Sequence, residues 1–256
     1  MDKMRILILG GTAEARELAE RLAPRDALQV TLSLAGRTLD PAPQPAPTRT
    51  GGFGGVQGLR DYLRLNRIDL LVDATHPFAR RISANAERAA VMSDTPLIRL
   101  QRAGWRPVEG DRWTRVPTLT DAVAALGAEP SRIFLAIGRQ EAHHFNTAAH
   151  HSYFVRSVDP VDPPLTVPDA TYILARGPFA VEDEIDLLRH HRIDAIVSKN
   201  SGGEATYAKI AAARALGLPV VMVERTGSND VPVAETVDAA LALVDHVASA
   251  GRKRGV

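Results

Sequence analysis

The sequence predicts an α/β fold built from two open, mainly parallel sheets, and three observations carry that prediction. Short apolar runs of strand length alternate with segments of helical periodicity over most of the 256 residues. The alternation lapses once, near the middle of the chain, and then restarts. Several of the apolar runs end in glycine or small polar residues, the punctuation expected where a strand turns into a helix. A strand that returns through a helix lies parallel to its predecessor, so this alternation selects parallel sheets with helices on their faces.

Met4-Arg5-Ile6-Leu7-Ile8-Leu9 is the first strand and ends in Gly10-Gly11-Thr12. Ala13 to Ala23 follows as a helix, with Ala15, Leu18, Ala19 and Leu22 at helical spacing. Further strands are predicted at Leu28 to Leu34, Asp69 to Asp73 and Pro96 to Leu100, with helices at Gly58 to Asn66 and Phe78 to Met92. Alternate prolines at Pro41, Pro43, Pro45 and Pro47 predict a stiff, polyproline-like surface spacer. Between Gln101 and Val116 the pattern gives way to a stretch holding Gly104, Pro107, Gly110 and both tryptophans, Trp105 and Trp113. The boundary is placed there, giving domains 1–112 and 113–256. Beyond it, strands are predicted at Arg132 to Ile137, Tyr153 to Val158, Thr171 to Leu174, Asp194 to Val197 and Pro219 to Val223. Helices are predicted at Leu119 to Leu126, Val181 to His191, Glu204 to Leu216 and Val237 to Ala248. The halves share a pattern without a close repeat, and the sequence leaves open an exchange of an edge strand across the Trp105 to Trp113 connection.

Composition excludes several classes of function. Hydrophobic residues make up 45% and charged residues 24%, which suits a globular chain and excludes a disordered one. A net charge of +1 lacks the basic surplus of a non-specific nucleic-acid binder. With no cysteine, disulfides, zinc ribbons, iron–sulfur clusters and thiol nucleophiles are excluded. No apolar run approaches the roughly 18–20 residues of a membrane span, and Met4 to Leu9 is too short for a signal-peptide core, so a cytoplasmic protein is expected. His143, His144, His150 and His151 are adjacent pairs that do not share one helix face, and no nearby carboxylate completes a set, so no metal site is expected. Gly-x-Ser-x-Gly and Walker lysine motifs, the marks of hydrolase and P-loop chemistry, are absent from the sequence.

The turn after the first strand is the most informative local feature. Glycines at 10 and 11 allow a sharp bend, and the helix that follows offers unpaired N–H groups and the positive end of its dipole to an anion. The dinucleotide pattern G-x-G-x-x-G is altered here to Gly10-x-Thr12-x-x-Ala15, a Rossmann-like turn with threonine at the second glycine position. The same residues also suit a plain helix start, with Thr12 as cap and Glu14 in the first turn. Arg37 follows the second strand, where an arginine accommodates the 2′-phosphate of NADP and an acid would favour NAD. Gly51-Gly52-Phe53-Gly54-Gly55 sacrifices chain entropy around one aromatic, as a ligand-facing loop would. Asp73-Ala74-Thr75-His76-Pro77-Phe78 ends a strand at the same carboxyl edge. In the second half, Gly138-Arg139, Arg176-Gly177-Pro178-Phe179 and Ser198-Lys199-Asn200-Ser201-Gly202-Gly203 each follow a predicted strand, so three donor-rich turns are expected at one sheet edge.

Taken in order, Gly10 to Arg16, Ala35-Gly36-Arg37, Gly51 to Gly54, Asp73 to Ala79, Leu97 to Arg102 and Ser198 to Gly202 form a set that resembles the precorrin-6A reductase family of cobalamin biosynthesis, over nearly the whole chain. The family has a cobalt-precorrin-6A branch, which these motifs do not separate from the metal-free one. The resemblance implies two Rossmann-like domains with the active site in the interdomain cleft. It also implies hydride transfer from NADPH to a macrocycle double bond, giving precorrin-6B. On that basis Gly10, Gly11, Thr12 and Glu14 are expected at the pyrophosphate, Arg37 at the 2′-phosphate, and Gly51, Gly52, Phe53 and Thr75 near the nicotinamide. Pro77, Phe78, Gly138, Arg139, Arg176, Gly177, Pro178, Ser198, Asn200, Ser201, Gly202 and Gly203 are expected to bind the polycarboxylate tetrapyrrole, with His76, Lys199 or solvent delivering a proton. A non-catalytic nucleotide or tetrapyrrole sensor is the alternative. Another NADP-linked reductase fits less well, because Tyr207-Ala208-Lys209 lacks the Tyr-x-x-x-Lys spacing.

Overall fold

The computed structural model describes residues 3–36, 43–225 and 231–253. The chain divides into two compact units, Met1–Arg102 with Gly227–Val256, and Ala103–Thr226. The first contains β1 (Met4–Leu9), α1 (Ala13–Leu22), β2 (Leu28–Leu34), β3 (Thr48–Thr50), α2 (Gly55–Leu65), β4 (Leu70–Asp73), α3 (Arg80–Ser93) and β5 (Leu97–Leu100). To these the end of the chain adds β12 (Val233–Ala234) and α7 (Val237–Lys253). The sheet runs β12-β5-β4-β1-β2-β3 with every pair parallel.

Side chains alternate across the sheet, and both faces are covered. Ile6 and Ile8 pack with Leu18, Leu22, Leu241 and Val244 on the side of α1 and α7. Leu7 and Leu9 pack with Leu59, Leu63, Ala86 and Ala89 on the side of α2 and α3. Two buried faces explain why β1 reads as an unbroken apolar run instead of an alternating one.

The second unit contains β6 (Arg112–Val116), α4 (Leu119–Ala125), β7 (Arg132–Ala136), a 3-10 turn (Ala142–Thr147), β8 (Ser152–Ser157), β9 (Ala170–Leu174), α5 (Val181–His190), β10 (Ala195–Lys199), α6 (Ala208–Leu216) and β11 (Pro219–Val223). Its sheet, β6-β11-β10-β7-β8-β9, is also parallel throughout. Phe134, Phe154, Ile196, Val220 and Met222 pack there against Leu188 of α5 and Ile210 of α6.

Counting outward from β1 and from β7, the two sheets share one order: third, second, first, fourth, fifth, sixth. The sixth strands are exchanged. β6 follows β5 in the chain yet pairs with β11, and β12 follows β11 yet pairs with β5. The units therefore differ in extent from domains 1–112 and 113–256: the first ends at Arg102 and takes back the end of the chain. The exchanged strands are short sheet edges with weak apolar signals, since only Val116 of β6 and Ala234 of β12 are buried. The proline-rich spacer likewise ends as structure: Pro47 accepts from the Leu32 N–H at 2.9 Å, and β3 follows at once. Among the described residues no helix is long and apolar enough to cross a membrane.

Candidate functional site

In the first unit the sheet order reverses between β1 and β4, where open α/β sheets form a crevice beyond the strand ends. Gly10 donates its N–H to Ser33 O at 2.9 Å, and a Cβ there would meet Leu32 Cδ1 at 2.8 Å. Gly11 has φ +113°, and a Cβ there would have no atom within 4 Å. Gly10 is thus required by strand packing, while Gly11 makes the bend and leaves the backbone open to approach. Thr12 caps α1: its Oγ1 accepts from the Ala15 N–H at 3.1 Å and donates to Ala74 O at 2.8 Å, tying the turn after β1 to the turn after β4. Cap and ligand turn are compatible, because capping satisfies one first-turn N–H and leaves others without helical partners.

Glu14 is neutralised in place. Both its carboxylate oxygens accept from Arg102 Nη1, at 2.8 and 2.7 Å. Thr12, Glu14, Thr75, Pro77, Leu100, Gln101 and Arg102 line one hollow at this edge. Asp73, which is 1% exposed, organises the turn after β4: its Oδ1 accepts from Thr75 N at 3.2 Å and Thr75 Oγ1 at 2.7 Å. Its Oδ2 accepts from Arg99 Nε at 3.3 Å, and Arg99 Nη2 donates to Glu87 Oε1 at 2.6 Å. Burial works against the Arg99 cation, but the bonds and charges of Glu87 and Asp73 prevail and hold its pKa above the ordinary arginine value.

His76 Nδ1 accepts from the Phe78 N–H at 3.2 Å, which places the proton of the neutral imidazole on Nε2. The His76 and Phe78 rings lie 6.0 Å apart, with Pro77 between them in sequence. Gly51, Gly52 and Phe53 follow β3 at the sheet's outer edge, so β1 and β2 stand between their strand and β4, which leads to Thr75 and His76. Arg37 lies outside the described residues.

In the second unit the reversal lies between β7 and β10. Gly138, at φ +86°, and Arg139 follow β7; Lys199 ends β10. The Lys199 ammonium pairs with the carboxylate of Glu141. The turn beyond is built against Ala103 to Trp105. Asn200 Oδ1 accepts from Trp105 N at 2.7 Å, and its Nδ2 donates to Trp105 O and Glu224 Oε2, both at 3.1 Å. A Cβ at Gly202 would lie 2.0 Å from Ala103 O, and Gly203 O accepts from Trp105 Nε1 at 2.9 Å. Ser198 is 0% exposed and Ser201 is buried. Ser198 and the Asn200 amide are therefore turned inward, and they shape the backbone that carries Lys199.

Arg176, Gly177 and Pro178 follow β9, and the turn bends towards the segment after β10: a Cβ at Gly177 would lie 3.0 Å from Ala205 O. Beneath it the Arg156 guanidinium sits 3.8 Å from the Phe179 ring centre and pairs with the buried Glu184. Of the three turns expected at one edge, that after β9 approaches the segment after β10, and Glu141, beyond the turn after β7, reaches Lys199. Glu141, Arg102, Arg49 and the Arg156–Glu184 pair were not singled out by the sequence; the partnerships of Glu141, of Arg102 and of Arg156 with Glu184 join separate segments and leave no local spacing.

The family model described as precorrin-6x reductase CbiJ/CobK matches residues 5–245. The chain belongs to that family. It is 59% identical over 246 residues to a precorrin-6A reductase from Sinorhizobium sp, covering 96% of this chain and 94% of the relative. It is 47% identical to a precorrin-6A reductase from Rhodobacter capsulatus, covering 96% and 98%. A solved structure named CobK precorrin-6A reductase superposes with TM-score 0.89 at 45% identity, covering 95% of this chain and 97% of that one. The precorrin-6x reductases are enzymes of cobalamin biosynthesis and need a hydride donor. The first unit fits a dinucleotide: Gly11 leaves open space where a Cβ would stand, the N-terminus of α1 faces the turn, and Arg102 offsets the one acid beside it.

Proposed function

We propose that this chain reduces one macrocycle double bond of precorrin-6A with NADPH, giving precorrin-6B in the cytoplasm. The observation that carries this is the Gly10–Thr12 turn, fastened to Ala74 at the point where the first sheet reverses its order. Bound NADPH supplies the hydride. Gly11 and the first N–H groups of α1 receive the pyrophosphate, and Arg102 keeps Glu14 from repelling it. Arg37 sits in sequence where a 2′-phosphate is read.

Thr75 and His76 line the nicotinamide side, and Asp73 holds their turn in place. His76, with Pro77 and Phe78, shapes the wall there. In the second unit Gly138, Arg139, Arg176 to Pro178 and the Ser198 to Gly203 turn receive the acetate and propionate carboxylates of the tetrapyrrole. Lys199, paired with Glu141, delivers the proton that accompanies the hydride. The conjugated macrocycle spreads developing charge, so orientation and electrostatics suffice without a covalent nucleophile.

Anaerobic turnover of purified precorrin-6A with NADPH, followed by mass spectrometry, tests this directly. The expected result is a two-hydrogen gain matched to NADPH loss, with NADH and the cobalt-containing substrate slower. Binding without mass gain on either substrate refutes the catalytic assignment and favours a sensor.

A further inference from the structure

The proposal that the first unit takes NADPH gives no role to Arg49. Arg49 lies on β3, beside the end of β2, and three neutral groups immobilise it. Nη1 donates to Ser33 Oγ at 2.7 Å, Nη2 donates to Gly52 O at 3.1 Å, and the guanidinium carbon lies 3.8 Å from the Phe53 ring centre. By contrast Arg99, Arg102, Arg156 and Arg214 are each paired with a carboxylate. Among the described residues no carboxylate pairs with Arg49. A guanidinium fixed by a hydroxyl, a carbonyl and a ring keeps its full charge, and its planar fork has further donors for an incoming anion.

Its place in the sheet identifies the anion. β3 lies two strands from β1, a lateral offset of about 10 Å from the pyrophosphate turn, on the side opposite Thr75 and His76. Dinucleotide folds put the adenosine ribose on the β2 side of that turn. The local chain is built to hold this end. Gly36, at φ +72°, has Thr50 Cγ2 at 3.0 Å from where its Cβ would be, and Gly51 N donates to Leu34 O at 2.9 Å. Gly52 and Gly54 face open space, so their backbone is accessible.

We infer that Arg49, held against Phe53 and Ser33, is a selecting residue for a 2′-phosphorylated adenosine in addition to Arg37. The glycine-rich loop then belongs to the adenosine end of the cofactor, with Phe53 as the platform that keeps the guanidinium flat. This inference rests on the NADPH assignment and goes beyond it by naming a further selecting residue.

Nucleotide titrations of the full chain test both separately, using NADPH against NADH and adenosine 2′,5′-bisphosphate against 5′-AMP. In the unsubstituted chain the 2′-phosphorylated member of each pair is expected to bind more tightly. Arg49→Ala is expected to cut that preference by about ten- to a hundredfold while changing NADH and 5′-AMP affinity little, the loss of one charge-assisted bond to phosphate. Arg49→Lys keeps the charge without the fork and is expected to fall between the two. A preference undiminished by Arg49→Ala, with or without loss under Arg37→Ala, overturns the inference and leaves the NADPH assignment standing. Equal weakening of all four ligands overturns it too, because Arg49 would then only brace the loop. No preference in the unsubstituted chain overturns both.

Discussion

Asp73→Asn is the sharpest perturbation of the first unit, because it changes one charge and almost no volume. Asp73 is 1% exposed and faces Arg99 in register across β4 and β5. In the substituted chain Oδ1 can still accept from Thr75, but an amide nitrogen replaces the oxygen that accepted from Arg99 Nε at 3.3 Å. Two donors then confront each other around a guanidinium that is 6% exposed. Breaking one side of a buried pair costs about 3–5 kcal/mol. Glu87 retains its 2.6 Å bond to Arg99, so the low end applies, about 3 kcal/mol. For a unit of this size each kcal/mol moves the midpoint by roughly 3–4 °C, so the first unit should melt about 10 °C lower. Calorimetry resolves this if the second unit's transition stays fixed. The cycle with Arg99→Met checks the cause: the double substitution should cost less than the sum of the singles by about 1–3 kcal/mol. A midpoint within about 1 °C of the unsubstituted chain, or strict additivity, refutes the role of the buried charge pair.

Gly202→Ala should destabilise the second unit by at least about 1–2 kcal/mol from its left-handed backbone alone, φ +65°, and by more from the 2.0 Å approach to Ala103 O; an unchanged melting curve contradicts the tight turn. Ending the chain before residue 227 removes α7 and β12, hence Val237, Leu241 and Val244 from the first core, at about 1.5–3 kcal/mol each, close to a domain's whole stability. Circular dichroism and proteolysis of that shortened chain should find the second unit intact and the first unfolded; two folded units would show the exchanged strand to be dispensable. Acid should weaken the second unit as well. His151 is 1% exposed, and burial, then His150, lowers its pKa below the ordinary 6.5 against an opposing backbone hydrogen bond at Gly127. His144 and His191 are lowered in the same direction, first by burial and then by His143 and His190. A depressed histidine gives stability that is full above 6.5 and is lost as pH falls through the folded pKa, because the unfolded chain binds the proton more readily. Melting followed from pH 7.5 to 5 should therefore slope downward, and His151→Leu should flatten the slope; an unchanged slope removes His151 from the account.

The sequence was legible where burial is two-sided and local. β1 and β11 are inner strands whose apolar runs coincide with the observed spans, and β2 was read from its alternating apolar positions Leu28, Val30, Leu32 and Leu34. β3, β6 and β12 escaped notice because edge strands with exposed side chains carry no such run. α6 begins at Ala208 instead of Glu204, since residues 204–207 form a bend and turn after β10. The site was legible as punctuation: Gly10-Gly11-Thr12, Asp73 to Phe78 and Ser198 to Gly203 all stand at strand ends. Its charge arrangement was not. Glu14 meets Arg102 across 88 residues, and Arg156 meets Glu184 across 28, separations that no periodicity encodes.

That arrangement explains why a chain of net charge +1 can serve anionic ligands. In the first unit each acid near the crevice has an arginine assigned to it, Glu14 to Arg102 and Asp73 to Arg99. Neutralised pairs add little field of their own, so backbone N–H groups and Arg49 set the sign of the edge. In the second unit Glu141 similarly pairs with Lys199, while the turns carrying Arg139 and Arg176 stand at the ends of β7 and β9. Local pairing, with backbone N–H groups presented at the strand ends, lets an anion be received without a positive protein, and without the non-specific attraction to nucleic acid that a global surplus would bring.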